Sequence, residues 1–155
     1  MKTCFFILAI MAKACLAFVV RPPTVFGPTS TPRHCGALCM VEDINPKFAH
    51  KFMEEGFTYI DVRSPDEFSN GRPSGSINVP AFWSTGMGMK VNPNFVQQVN
   101  EMFPEKDVRL LVGCQMGSRS AQAASWLEDA GYTAVYNVEG GYSMWARDES
   151  LPVEV

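Results

Sequence analysis

The sequence predicts an α/β domain with a largely parallel sheet, and two observations lead to that prediction. Short β-branched and aromatic runs alternate with segments whose apolar residues recur at helical spacing. Strands separated by helices in this way pair in parallel within one layered domain. The predicted strands are FTYIDV, GSINVP, DVRLLVGC and TAVYNV, at residues 57–62, 75–80, 107–114 and 133–138.

Capping residues place the helices between these runs. Asn or Ser followed by Pro opens three of them, at residues 45–46, 64–65 and 92–93. The longest helix is predicted over SRSAQAASWLEDAGY and ends at Gly131, and GGYSMWARD forms a closing turn with a short helix. Residues 82–92, FWSTGMGMKVN, show no period and contain two glycines. A loop is therefore expected there, either a lid or an ordinary mobile surface loop.

The first forty residues differ from the rest. Residues 1–41 contain no acid, although the chain has 16 acidic and 13 basic residues, so the domain over 41–155 is acidic and nucleic acid is excluded as its main partner. Residues 1–17 have the layout of a secretory signal, and 18–40 resemble a transit or linker segment. Together they resemble the two-part plastid leaders of algae with secondary plastids, with plain secretion as the alternative. No membrane segment is expected in the mature form.

Cysteine usage singles out one thiol. Of the five cysteines, four lie in the first forty residues, and only Cys114 lies in the predicted domain. Removal of the leader would leave Cys114 without a partner, so a disulfide-stapled scaffold is excluded. HCGALC, at residues 34–39, has too few ligands for a structural metal site.

Cys114 ends a predicted strand, and a helix is predicted to start near Ser118. In parallel α/β sheets, ligands bind beyond the carboxyl ends of the strands, where loops lead into helices. Loop N–H groups and the helix dipole favour a thiolate there, and the same cradle would bind an anion. A purely structural buried cysteine is the alternative. It is disfavoured by Gly117, which permits close backbone approach, and by polar residues that are costly to bury, Gln115, Ser118, Arg119 and Ser120.

The spacing between Cys114 and Arg119 separates the possible chemistries. It is Cys-x4-Arg, one residue shorter than the Cys-x5-Arg of tyrosine phosphatases, which usually carry His where Gly113 stands. The shorter cradle should fit a tetrahedral phosphate poorly and a sulfur atom on the cysteine well. A cysteine protease needs a histidine partner, and His50, the domain's only histidine, is expected on the outer face of the first helix.

Three stretches carry a resemblance to a known family: YIDVRSPDEF, GSINVPAF and LLVGCQMGSRSAQAASWLEDAGYTAVYNVEGGYSMW. Taken together they resemble a single-domain rhodanese, most of all the small sulfurtransferases of plants and algae. The resemblance covers about residues 42–150 and implies a three-layer fold with a five-stranded, mostly parallel sheet flanked by helices. It also implies a persulfide on Cys114 and attraction of a small anionic donor by Arg119. The loop residues that would hold the persulfide are Gln115, Met116, Gly117, Ser118, Arg119 and Ser120.

The same resemblance implies the reaction. Sulfane sulfur would pass from thiosulfate or a persulfide donor to cyanide or to a thiol such as glutathione or thioredoxin, without a metal or organic cofactor. An arsenate reductase and a non-catalytic redox-sensing or partner-binding module, with Cys114 oxidised, are the alternatives. The sequence leaves the oligomeric state open.

Residues outside the loop are expected to have supporting roles. Asp61 and Arg63 should brace the sheet edge rather than take part in chemistry, and Tyr142 and Trp145 should pack. GRPSGS, at residues 71–76, departs from the Gly-His-Ile pattern usual in rhodaneses, which predicts altered packing there.

Overall fold

The computed structural model describes residues 41–155. The predicted signal over 1–17, the transit-like segment over 18–40 and the HCGALC motif lie outside the described residues. The elements in chain order are β1 Glu42–Ile44, α1 Pro46–Glu54, β2 Thr58–Asp61, α2 Pro65–Ser69, β3 Arg72–Pro73, β4 Ile77–Asn78, β5 Phe82–Thr85, β6 Gly88–Val91, α3 Phe95–Met102, β7 Arg109–Gly113, α4 Ser118–Asp129, β8 Ala134–Val138, α5 Gly141–Trp145 and β9 Val153–Glu154.

A five-stranded sheet in the order β1-β8-β7-β2-β4 forms the centre of the domain, and its neighbouring strands are all parallel. The predicted α/β fold with a five-stranded parallel sheet flanked by helices is confirmed. In the register, Asp61 lies beside Gly113 on one side and beside Asn78 on the other. The carboxyl ends of β2, β4 and β7 therefore meet at one edge of the sheet.

The sheet separates two apolar layers. Ile60, Val112 and Leu127 are buried in one layer, and Leu111 and Trp145 are buried in the other. Neighbouring residues of β7 thus enter opposite layers, as the two-residue period of a strand requires. Trp145 was expected to pack, and it does so without measurable exposure. Among the residues described, no helix is both long and apolar enough to cross a membrane.

Two of the three predicted helix starts are found as expected. The Asn45 carboxamide oxygen accepts from the Phe48 N–H at 3.0 Å, and Ser64 forms a reciprocal capping box with Glu67. The third helix begins later than Asn92, at Phe95. The Asn92 side-chain oxygen accepts from the Asn94 N–H at 3.0 Å and so caps the turn before the helix, while its amide donates to the Pro80 carbonyl at 2.7 Å.

The prediction of a loop over residues 82–92 was wrong, because most of this segment forms the β5–β6 hairpin. Phe82 and Asn92 are buried at its base, where the Asn92 N–H donates to the Ala81 carbonyl at 2.9 Å. Gly86 and Met87 make its two-residue turn, and Gly88 has a positive φ of 123°. The hairpin has few buried apolar residues, which explains why its sequence lacks strand alternation.

The segment that departs from the rhodanese pattern forms β3, which pairs with β9 near the carboxyl terminus. The guanidinium of Arg72 lies 3.1 Å from the Glu154 carboxylate and also covers the ring of Phe68. Pro73 is buried beside Val153 in the register of this two-stranded sheet. The local sequence therefore fastens the end of the chain to the domain.

Candidate active site

Cys114 occupies the turn between β7 and α4, at the carboxyl edge of the sheet. It is the free cysteine of the described residues, and only 1% of its surface is exposed. Gly117 precedes α4 with a φ of 98°, a left-handed conformation that favours glycine. Its position lets the loop turn back over the thiol before the helix begins.

Two donors face the sulfur of Cys114. The Gly117 N–H donates to Sγ at 3.1 Å, and the Ser120 hydroxyl lies 3.4 Å from it. The same hydroxyl also lies 2.9 Å from the Gly117 carbonyl. Because a hydroxyl has one proton, the two acceptors compete for it, and a negatively charged sulfur would attract it more strongly.

The start of α5 holds the loop from the other side. The N–H groups of Tyr142 and Ser143 donate to the carbonyls of Cys114 and Gln115, at 2.7 and 3.0 Å. Gly141 makes this approach possible, because a Cβ there would overlap the Cys114 carbonyl. Oriented backbone groups therefore fix the loop without using the sulfur itself.

A buried polar network supports the loop from below. The guanidinium of Arg63 contacts the Asp61 carboxylate at 2.7 to 3.0 Å, and both side chains are buried. Arg63 also donates to the Gln115 side-chain oxygen at 3.1 Å, and the Gln115 amide donates to the Ser143 hydroxyl at 2.9 Å. The face of Arg63 lies over the Tyr142 ring. Asp61 and Arg63 thus lie where a bracing role was expected, and the Gln115 side chain is committed to the same network.

Arg119 pairs with Glu67 of α2. Its Nη1 and Nη2 donate to the two carboxylate oxygens of Glu67 at 2.9 and 2.8 Å. Chiefly through these hydrogen bonds, Arg119 lowers the pKa of Glu67 to about 2, and Glu67 in turn raises the pKa of Arg119. Glu67 was not predicted as a site residue; in the structure it forms a capping box with Ser64 in the first turn of α2 and pairs with Arg119 as well.

A family model described as rhodanese-like domain matches residues 45–148. The chain belongs to the rhodanese-like family. The chain is 45% identical to thiosulfate sulfurtransferase 16, chloroplastic, of Arabidopsis thaliana over 106 residues, covering 68% of this chain and 87% of that protein. It is 44% identical to senescence-associated protein DIN1 of Raphanus sativus over 108 residues, which is 70% of this chain but only 58% of that relative's length.

A solved structure of a rhodanese-like domain from Anabaena sp. has the same fold, with a TM-score of 0.60 at 22% identity over 74% of this chain and 80% of that one. In this rhodanese domain, the loop residues predicted from the sequence lie between the end of β7 and the first turn of α4. Cys114, Gly117 and Ser120 meet at the sulfur, whereas Ser118 and Met116 are exposed, Met116 by 74%. The resemblance to rhodaneses is thus confirmed.

Two features of the rhodanese domain were not predicted from the sequence, the partial burial of His50 and the position of Tyr59. His50 is half-buried, with its ring 5.9 Å from that of Trp145, rather than facing outward. Tyr59, which no sequence pattern singled out, lies beside Gly113 so closely that a Cβ on Gly113 would overlap its ring. The histidine found at this position in phosphatases therefore has no room here unless Tyr59 moves.

Proposed function

We propose that this rhodanese domain is a sulfurtransferase that carries sulfane sulfur on Cys114 and can take it from thiosulfate. The observation that supports this most directly is the sulfur of Cys114 itself, free, enclosed, and faced by the Gly117 N–H and the Ser120 hydroxyl. Names of similar proteins, such as thiosulfate sulfurtransferase 16, point to the same reaction.

In the proposed first half-reaction, the Cys114 thiolate attacks the outer sulfur of thiosulfate. A new S–S bond forms on Cys114 while the S–S bond of the donor breaks, and sulfite leaves with the electron pair. The attack requires Cys114 in its thiolate form, whose negative charge the Gly117 N–H and the Ser120 hydroxyl would stabilise. The N–H groups at the start of α4 have no partner within the helix, so they can hold the outer sulfur of the persulfide.

In the second half-reaction, a thiolate acceptor attacks that outer sulfur and restores the Cys114 thiolate. The acceptor we propose is a small or protein thiol, such as glutathione or thioredoxin, with cyanide as a laboratory substitute. The network from Asp61 through Arg63 to Gln115 keeps the loop in one geometry through both steps. Preorganised donors of this kind need not rearrange as charge moves onto the sulfur.

Intact-mass measurement tests the proposal. The domain is incubated with thiosulfate and desalted, and its intact mass is measured by mass spectrometry in parallel with that of the Cys114→Ser variant. We expect wild type to gain one sulfur atom that cyanide removes, and the variant to gain none. If wild type gains no sulfur, the proposal fails. Parallel incubation with arsenate and a thiol reductant then shows whether arsenate reduction, the alternative chemistry, takes its place.

We also propose a plastid location, supported by the word chloroplastic in the names of similar plant proteins. The test is a fusion of residues 1–40 to a fluorescent protein, imaged in a plastid-bearing alga. Fluorescence within the plastid is the expected result. Fluorescence confined to the secretory pathway would instead support the plain secretion signal.

A further inference from the structure

Glu67 changes the charge that the catalytic loop presents. Arg119 is the cation that the Cys-x4-Arg loop would offer to an anionic donor, yet both of its terminal nitrogens are bonded to the Glu67 carboxylate. A bidentate pair of this kind orients the guanidinium and offsets its charge. The donor therefore approaches an Arg119 whose positive charge is offset by Glu67, rather than a free cation.

The carboxylate of Glu67 is itself held in place. The Ser64 N–H and the Ser64 hydroxyl both donate to the Glu67 oxygen that also contacts Nη1 of Arg119, at 3.2 and 3.1 Å. Pro65 at the first position of α2 restricts the backbone of the same turn. Glu67 is thus fixed from one side by its capping box and from the other by Arg119.

The second arginine at this edge is compensated as well. Arg63 is paired with Asp61, and both groups are buried. With Cys114 as a thiolate, the two ion pairs and the sulfur carry one net negative charge. Thiosulfate would bring two more, whereas a thiosulfonate or persulfide anion would bring only one. The surroundings of Cys114 thus oppose the second charge of the donor.

We propose that Glu67 is a specificity-determining residue, which by occupying Arg119 favours monoanionic sulfane-sulfur donors over dianionic thiosulfate. The inference rests on the proposed sulfur transfer and concerns only the choice of donor. For a thiosulfonate, the Cys114 thiolate attacks the outer sulfur, the new S–S bond forms on Cys114, and a sulfinate leaves with the electron pair. The atoms and charges balance as they do for thiosulfate.

Methanethiosulfonate and thiosulfate form a matched pair of probes, since a methyl group replaces one charged oxygen. The test is the ratio of their kcat/KM values in wild type and in Glu67→Gln, because intrinsic donor reactivity cancels when the ratio is compared between variants. Gln at this position can still complete the capping box, so α2 should be retained. We expect the ratio to move toward thiosulfate by about tenfold in Glu67→Gln, roughly the effect of one partly screened charge.

Two further variants make the test specific. Asp66→Asn removes a charge from the same helix at an exposed side chain, and its ratio should equal that of wild type. Glu67→Gln combined with Arg119→Met should lose the shift, since the shift depends on a released Arg119. A ratio unchanged by Glu67→Gln, or shifted equally by Asp66→Asn, overturns the inference while sulfur loading of Cys114 stands. If neither donor loads Cys114 in wild type, the proposed function itself fails.

Discussion

The ring of Tyr59 fills the space beside Gly113 where a side chain would otherwise lie. A Cβ at Gly113 would be 2.8 Å from one ring carbon of Tyr59 and would overlap the hydroxyl. The hydroxyl is buried and, within the described part of the chain, has no hydrogen-bond partner. Burial raises the pKa of Tyr59 well above its usual range, so the ring remains neutral. Tyr59 therefore makes glycine a steric requirement immediately before Cys114.

Gly113→Ala should destabilise the domain by about 2–3 kcal/mol, because a well-packed core must shift to accept even one methyl group. Gly86→Ala is the matched control, since no atom lies within 4 Å of a Cβ at that position. The free energy of unfolding, measured in urea for both variants and wild type, checks this. Equal stabilities of the two alanine variants would show that Tyr59 imposes no such requirement.

The buried ion pair of Asp61 and Arg63 predicts a second large effect. Arg63→Met should lower the free energy of unfolding by about 3–5 kcal/mol, since it leaves a buried carboxylate uncompensated. Arg72→Met removes one partner of the more exposed pair with Glu154 and should cost less than about 1 kcal/mol. Urea unfolding of both variants makes the comparison. Similar losses in the two would mean that Asp61 finds another partner or is reached by water.

Local patterns in the sequence predicted the parallel sheet, because its three central strands are continuous apolar runs with helices between them. They did not locate β1, whose residues Glu42 and Asp43 are exposed and charged. β1 is held by pairing with β8, a contact distant in sequence. The hairpin was missed for a related reason: its two strands bond to each other and bury little, so no alternation of apolar residues marks them.

The cysteine loop could be predicted as a site because its chemistry lies within one short stretch. The groups that determine its electrostatics lie elsewhere in the chain. Glu67 reaches Arg119 and Arg63 reaches Gln115 across 52 positions in each case. A capping-box pattern explains Glu67 as a helix cap without revealing this second contact. Only the fold brings α2 to the first turn of α4, so the compensation of Arg119 could not be anticipated.

The ion pair of Glu67 and Arg119 should make stability depend on acid pH. Arg119 lowers the pKa of Glu67 from 4.5 to about 2 in the folded state, so the pair contributes fully above about pH 4.5. Its contribution is lost as the pH falls toward about 2. Partial exposure screens the pair, so we expect Glu67→Gln to cost about 1 kcal/mol at neutral pH.

Urea unfolding of wild type and Glu67→Gln across this pH range measures the effect. The difference between the two free energies of unfolding should shrink steadily between about pH 4.5 and 2, because protonated Glu67 resembles Gln. A difference that stays constant over the range would show that the charge of Glu67 is not the source of the stabilisation.

The hydroxyl of Ser120 should assist the chemistry of Cys114 more than it assists folding. It lies 3.4 Å from Sγ, and an ionised sulfur accepts a stronger hydrogen bond than a neutral one. Ser120→Ala should therefore slow persulfide formation from thiosulfate by about tenfold, the effect of roughly 1.4 kcal/mol. Ser125→Ala, on the same helix with its hydroxyl bonded to the Ala121 carbonyl, should leave the rate unchanged. Mass spectrometry of reactions stopped at successive times gives the fraction of persulfide and hence both rates. Equal rates in the two variants would exclude a role for Ser120 at the sulfur.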